Sequence, residues 1–189
     1  MIIDKPYVID RETLKTLLQI ADTTYDTLID IYLPIVSEDV SLICGQDFVC
    51  EYTGTLTSGS NIITDINLST VSKGWLSSTP EYTQSIITDA DINNNSLTVS
   101  DTAAATAENQ DILINQFPIG KRIVISQMVA FQLVKNNGVT TSTKGSVKSK
   151  SLPPLSVTYD ENDTSLSGGF GYPGYIVSAL KAITKPRFY

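Results

Sequence analysis

Histidine is absent from the 189 residues, and cysteine occurs only at Cys44 and Cys50. Without an imidazole the chain lacks the commonest general base, so the usual Ser–His and Cys–His nucleophile pairs cannot form. A closed zinc site wants four nitrogen or sulfur ligands, which two thiols do not supply. The thiols are expected to be reduced and buried. No apolar run approaches the ~20 residues of a membrane-spanning helix. The opening "MIIDKPYVID" has no basic segment followed by an apolar one, so no secretory leader is expected, and synthesis in a cytoplasm is. No Gly-Lys-Ser/Thr follows "SGGFGYPG", which excludes a P-loop and leaves a turn or hinge.

Acid is missing locally as well: none lies between Asp111 and Asp160. Residues 1–118 carry 4 Lys/Arg and 17 Asp/Glu, a balance of −13, whereas residues 119–189 carry 9 and 3, a balance of +6. No two acids stand at a spacing that suggests general acid–base work, so no catalytic residue, metal or cofactor is expected. Asp65, Asp89 and Asp91 fit turn-forming and solvating roles better than calcium ligation. Trp75 is expected in a core rather than on a sugar.

The apolar spacing sets out the elements. Leu14, Leu17, Leu18 and Ala21 predict a short helix over 10–21. A second helix is expected from Tyr25 to Cys44, entered by a capping box of Thr23 and Asp26 and kinked or split at Pro34. Its apolar stripe is read as Leu28, Ile31, Tyr32 and Ile35, continued by Val36, Val40 and Ile43, with Gly45 as C-cap. Residues 48–115 alternate and turn like strands, with a hairpin around Asn93–Asn95. A third helix over 119–137 is apolar around most of its circumference, which implies burial on several sides, some of it by another subunit. "GVTTSTKGSVKSKSLPPL" reads as a flexible basic loop, "LSVTYDE" as a strand, and Tyr175–Thr184 as a last helix. The expected fold class is α+β: a small bundle of three to four helices (1–48 and 116–189) with a β-rich domain (49–115) inserted between the second and third.

Three stretches, in order, resemble the head–tail connector (adaptor) proteins of tailed bacteriophages. They are "ETLKTLLQIADTTYDTLIDIYLPIVSEDVSLICGQDF" (12–48), "FPIGKRIVISQMVAFQLVKNNGV" (117–139) and "LSVTYDENDTSLSGGFGYPGYIVSALKAITKPRF" (155–188). Short members of the family pass almost directly from the "DF" turn to the third helix, and the block between them here is a departure. Its "TGTLTSGSNIITDINLSTVSKGW" and "NNNSLTVSDTAAATAE" look like small β modules of phage virion proteins. The resemblance implies a non-enzymatic structural protein of the virion neck, at the head–tail interface. It implies a homo-oligomeric ring of about twelve copies, docked on the portal protein and receiving a tail or stopper component, without a membrane.

Candidate site residues follow. Ile123, Met128, Phe131 and Val134 are expected at the subunit interface. Lys144, Lys148 and Lys150, on the basic stretch that begins at Lys121 and Arg122, face either genomic DNA in the channel or the acidic half of a neighbouring subunit. Arg187, Phe188 and Tyr189 form a tail expected to dock on the portal or neck. A different class of function stays open: a surface adhesion or carbohydrate-binding β module on a helical stalk.

Overall fold

The computed structural model describes residues 5–68, 71–144, 147–160 and 171–183. Beside the boundaries expected from sequence stand two compact units: the segment ending at Asp10 with Phe48–Gly120, and Arg11–Asp47 with Lys121–Tyr189.

The first unit is a closed antiparallel barrel. Its strands are β1 (Val49–Leu56), β2 (Ile62–Thr64), β3 (Leu76–Thr79), β4 (Tyr82–Asp91), β5 (Ser96–Val99) and β6 (Ala107–Asn115). They follow the order β1-β2-β5-β4-β3-β6, and β6 closes on β1 from Val49↔Asn115 to Leu56↔Ala107. Alternation fills the interior with Leu56, Ile63, Ile87, Leu97, Ile112 and Ile114. Gly54 is needed where β1 crosses this core: a Cβ there would lie 2.8 Å from Ile112 Cδ1 and 2.9 Å from Ile63 Cγ2. The hairpin read from Asn93–Asn95 joins β4 to β5. Asp91 Oδ1 accepts from the amides of Asn93 and Asn94, and Asn95 takes the left-handed turn at φ 49°.

Among the described residues, the second unit places four helices with a three-stranded antiparallel sheet. The helices are α1 (Arg11–Leu18), α2 (Asp26–Cys44), α3 (Arg122–Asn137, entered by a 3-10 turn) and α4 (Gly174–Lys181). The strands, β7 (Val139–Lys144), β8 (Val147–Leu152) and β9 (Leu155–Asp160), pair in that order. Pro34 stays inside one continuous α2, and Gly45 caps it at φ 64°. The expected capping box does not form: α2 begins at Asp26 with Tyr25 as its N-cap and no side-chain cap, which puts Thr23 outside the helix, and the Asp26 carboxylate pairs with Lys15 Nζ at 2.7 Å.

The expected fold, a helical bundle carrying an inserted β domain, is therefore corrected. The β block is a closed barrel of its own, and the helices pack with a sheet rather than only with each other. The basic stretch read as a flexible loop supplies β7 and β8. Its Thr, Ser and Lys residues carry little apolar signal, and it is paired strand by strand through β8–β9 and β7–β8 registers instead.

Candidate functional site: assembly surfaces

α2 is aliphatic on two sides. Ile29, Leu33, Val36, Val40 and Ile43 recur at helical spacing and are buried. Ile31, Ile35 and Leu42 recur at i, i+4 and i+11 on another side, and are 50%, 45% and 59% exposed. The sequence reading joined Ile31 and Ile35 to Val36, Val40 and Ile43 in one apolar stripe; the structure buries the last three and leaves the first two about half-exposed. Pro34 and Glu38 share this outer face, both exposed. No catalytic geometry accompanies it, and what it offers chemically is a dehydratable aliphatic row beside acids.

α3 is covered by its own chain. It packs against α1, α2, α4, β8 and β9. Of the four residues expected at an interface, Met128, Phe131 and Val134 are buried there, and Ile123 alone stays half-exposed. The wide apolar girdle thus needs no neighbouring copy, because β9, read as a strand, and β8, read as part of a loop, join in a sheet that supplies the missing cover. The expectation that other subunits shield it is corrected on this ground.

The basic residues separate. Lys150 Nζ donates to the Lys135 carbonyl at 2.7 Å, where its charge meets the negative end of α3. It is engaged in structure and is not a free lumen cation. Lys144 lies opposite Val147 and Lys148 opposite Tyr159 in the sheet register. Arg187, Phe188 and Tyr189 lie outside the described residues. So does most of the glycine-rich stretch "NDTSLSGGFGYPG", whose described part starts at Gly171, φ 75°. Tyr172 follows, buried in the second unit. Its hydroxyl donates to Asp39 Oδ2 at 2.6 Å, and burial pushes its pKa up. Its ring lies 6.0 Å from that of Phe131.

Cys44 and Cys50 are free thiols, and burial pushes Cys44 up to about 11, away from the reactive thiolate. In the barrel, Trp75 packs against the core with its indole N–H buried and unpaired. Asp89 bonds Lys73 Nζ at 2.9 Å, and this contact with the Ala90 amide holds its carboxyl below the usual range. Asp91 is held low by Asn94, first through its side chain and then its backbone. Asp65 sits at φ 57° in the turn after β2 and helps line an open acidic cleft of about 350 Å³ with Glu51, Tyr52, Thr53, Asn67 and Asp111. Among the described residues no three Asp, Glu or Cys side chains stand close enough to hold a metal ion.

One further feature escaped the sequence reading. Gln84 and Asn115, on β4 and β6, hold the segment ahead of α1 through side-chain amides. The only available signal was two amide residues inside strand-like runs, which is too common to single out. A scan against protein-family models, a search of curated proteins and a search of solved structures each found no match to this chain.

Proposed function

We propose that this chain is a structural protein of a tailed-phage virion that works by assembly: copies join into a ring in the neck, between the portal and the next tail or stopper component. The reading assigns it no reaction. It draws on the resemblance of residues 12–48, 117–139 and 155–188 to head–tail connectors.

The observation that carries it is the exposed row Ile31, Ile35 and Leu42, which lies within the first of those stretches. The occupant proposed for this face is a second copy of the chain. Covering the exposed half of each side chain is worth roughly 1 kcal/mol. The three together give about 3 kcal/mol, less than the 4–15 kcal/mol that association typically costs in lost freedom. The row therefore seeds an interface that further contacts must complete, such as those on a portal or between successive subunits.

The test is the mass of the purified chain, alone and mixed with a portal protein, by light scattering. A ring, formed alone or on the portal and abolished by Ile35→Glu with Leu42→Glu, is expected. A monomer that ignores the portal overturns the reading.

A further inference from the structure

The barrel is closed, so it has no free strand edge on which to take up another peptide by backbone pairing. β3 in particular is paired on both sides, with β4 and with β6. Yet the segment ahead of α1 is bound to the barrel. Gln84 Oε1 accepts from the Tyr7 amide at 2.7 Å, and Gln84 Nε2 donates to the Lys5 carbonyl at 3.2 Å. Asn115 Nδ2 donates to the Pro6 carbonyl at 3.0 Å, while its Oδ1 accepts from the Phe117 amide. The two amides read three successive residues by main chain alone, and Pro6 stands at the position where no N–H is required. Pro6, Val8 and Ile9 are buried.

Two details mark these amides as a built site. Gln84 sits in β4 at φ 60°, a region L-residues rarely occupy, beside the irregularity where Ser77↔Ser85 gives way to Thr79↔Tyr82. That bulge lets a strand residue present both atoms of its amide to a neighbouring backbone. Asn115 is 95% buried and has both amide atoms engaged. The bound segment is also separable. All six strands lie in one stretch, Phe48–Gly120, and the segment, which belongs to the same unit, is joined to those strands in sequence only by way of Arg11–Asp47 of the other unit.

We propose that Gln84 and Asn115 form an exchange clamp that takes the Lys5–Asp10 strap of a second copy of this chain. The hydrogen bonds are the same whichever copy supplies the strap, so high local concentration in an assembly favours the exchanged form. Swapped straps would add the contacts that the α2 row lacks. The owner of the strap rests on the ring-forming reading; the clamp itself does not.

The test uses three arms. A fluorescein-labelled peptide with the sequence Lys5–Asp10 is offered to the intact chain and followed by anisotropy. Gln84→Gly is the control, because glycine accepts the positive φ while the whole side chain, amide included, is lost. Uptake by wild type, with at least about tenfold weaker uptake by a folded Gln84→Gly, is expected. In the third arm a chain starting at Arg11, which can only accept a strap, is mixed with intact Gln84→Gly, which can only donate one. Native mass spectrometry should show a one-to-one heterodimer that neither forms alone.

No peptide uptake, uptake unchanged in Gln84→Gly, or no heterodimer from folded partners overturns the clamp. If the chain starting at Arg11 does not fold, uptake by the intact chain decides. A heterodimer from a protein that never forms rings or joins the portal leaves the clamp standing and removes the ring reading. Rings that assemble equally well from Gln84→Gly remove exchange and leave the ring.

Discussion

The two units differ in how they treat charge. The barrel unit, with the segment ending at Asp10, holds 2 Lys/Arg and 10 Asp/Glu, a balance of −8; the helical unit holds 11 and 10, a balance of +1. In the barrel unit the ion pair between Lys73 and Asp89 is exposed on both sides, whereas in the helical unit Lys15 and Asp26 meet with side chains 10% and 21% exposed. Charge in the barrel is thus a solvated coat around an aliphatic interior. Such a coat repels nucleic acid and other copies of itself. Charge in the helical unit is partly structural, tying α1 to α2. An acidic, edgeless barrel has poor means of attracting a second barrel.

The largest expected break in this comparison is Asp26→Ala. It strands the Lys15 ammonium, and removing one partner of a pair this buried costs ~3 kcal/mol. Chemical denaturation should show the loss, with hydrogen exchange rising in α1 and α2 and unchanged in β1–β6. An equal rise in the barrel would mean that the units do not stabilise themselves separately.

Gly54→Ala probes the other side. Its Cβ would press on Ile112 and Ile63 inside a closed sheet that cannot splay, a loss of ~2 kcal/mol. The exchange pattern should be the reverse, with β1, β2 and β6 opening first.

Much of this was legible in the sequence where a residue's chemistry is local. Asp91 and Asn95 shape the β4–β5 turn, Gly45 ends α2, and the apolar rows of α3 signal burial. Legibility failed where the answer depends on what lies opposite. α2 has two aliphatic sides, and composition cannot rank Ile29, Leu33 and Val36 above Ile31 and Ile35 without the elements that cover them. β7 and β8 are polar strands held by pairing, so Ser149 and Thr158 face each other with no apolar alternation to announce it. Barrel closure rests on the β1–β6 and β3–β6 registers, which link residues far apart in the chain. The α3 girdle was seen, but its cover was assigned to another subunit because β8 was read as part of a loop.

A smaller effect separates the units by pH. Burial raises Tyr82 from an ordinary 10.0 to about 12, and its hydroxyl lies beside Ser77 and Thr79 with no hydrogen bond formed. The folded barrel keeps this proton after the unfolded chain has released it. Its contribution is therefore intact below pH 10 and is lost as the pH rises toward 12. Tyr82→Phe should leave stability at pH 7 nearly unchanged, since no hydrogen bond is removed, and should delay alkaline unfolding of the barrel. Alkaline loss identical in the two proteins would assign the transition to another group.

The smallest effect sharpens the contrast most. Lys73 Nζ and Asp89 Oδ1 are 2.9 Å apart, close to the 2.7 Å of Lys15 and Asp26, so distance alone ranks the pairs as near equals. Water decides otherwise: side-chain exposures of 70% and 63% screen the attraction and keep both groups solvated after the bond is broken. The Asp89 carboxyl is held low first by Lys73, so its stabilisation is present at neutral pH and lost as acid protonates it. Lys73→Ala should flatten that acid limb for Asp89, visible as an upward shift in its NMR titration, without moving the denaturation midpoint at pH 7. A midpoint that falls as far as in Asp26→Ala would show that the acidic coat is structural too, and the distinction between the units would collapse.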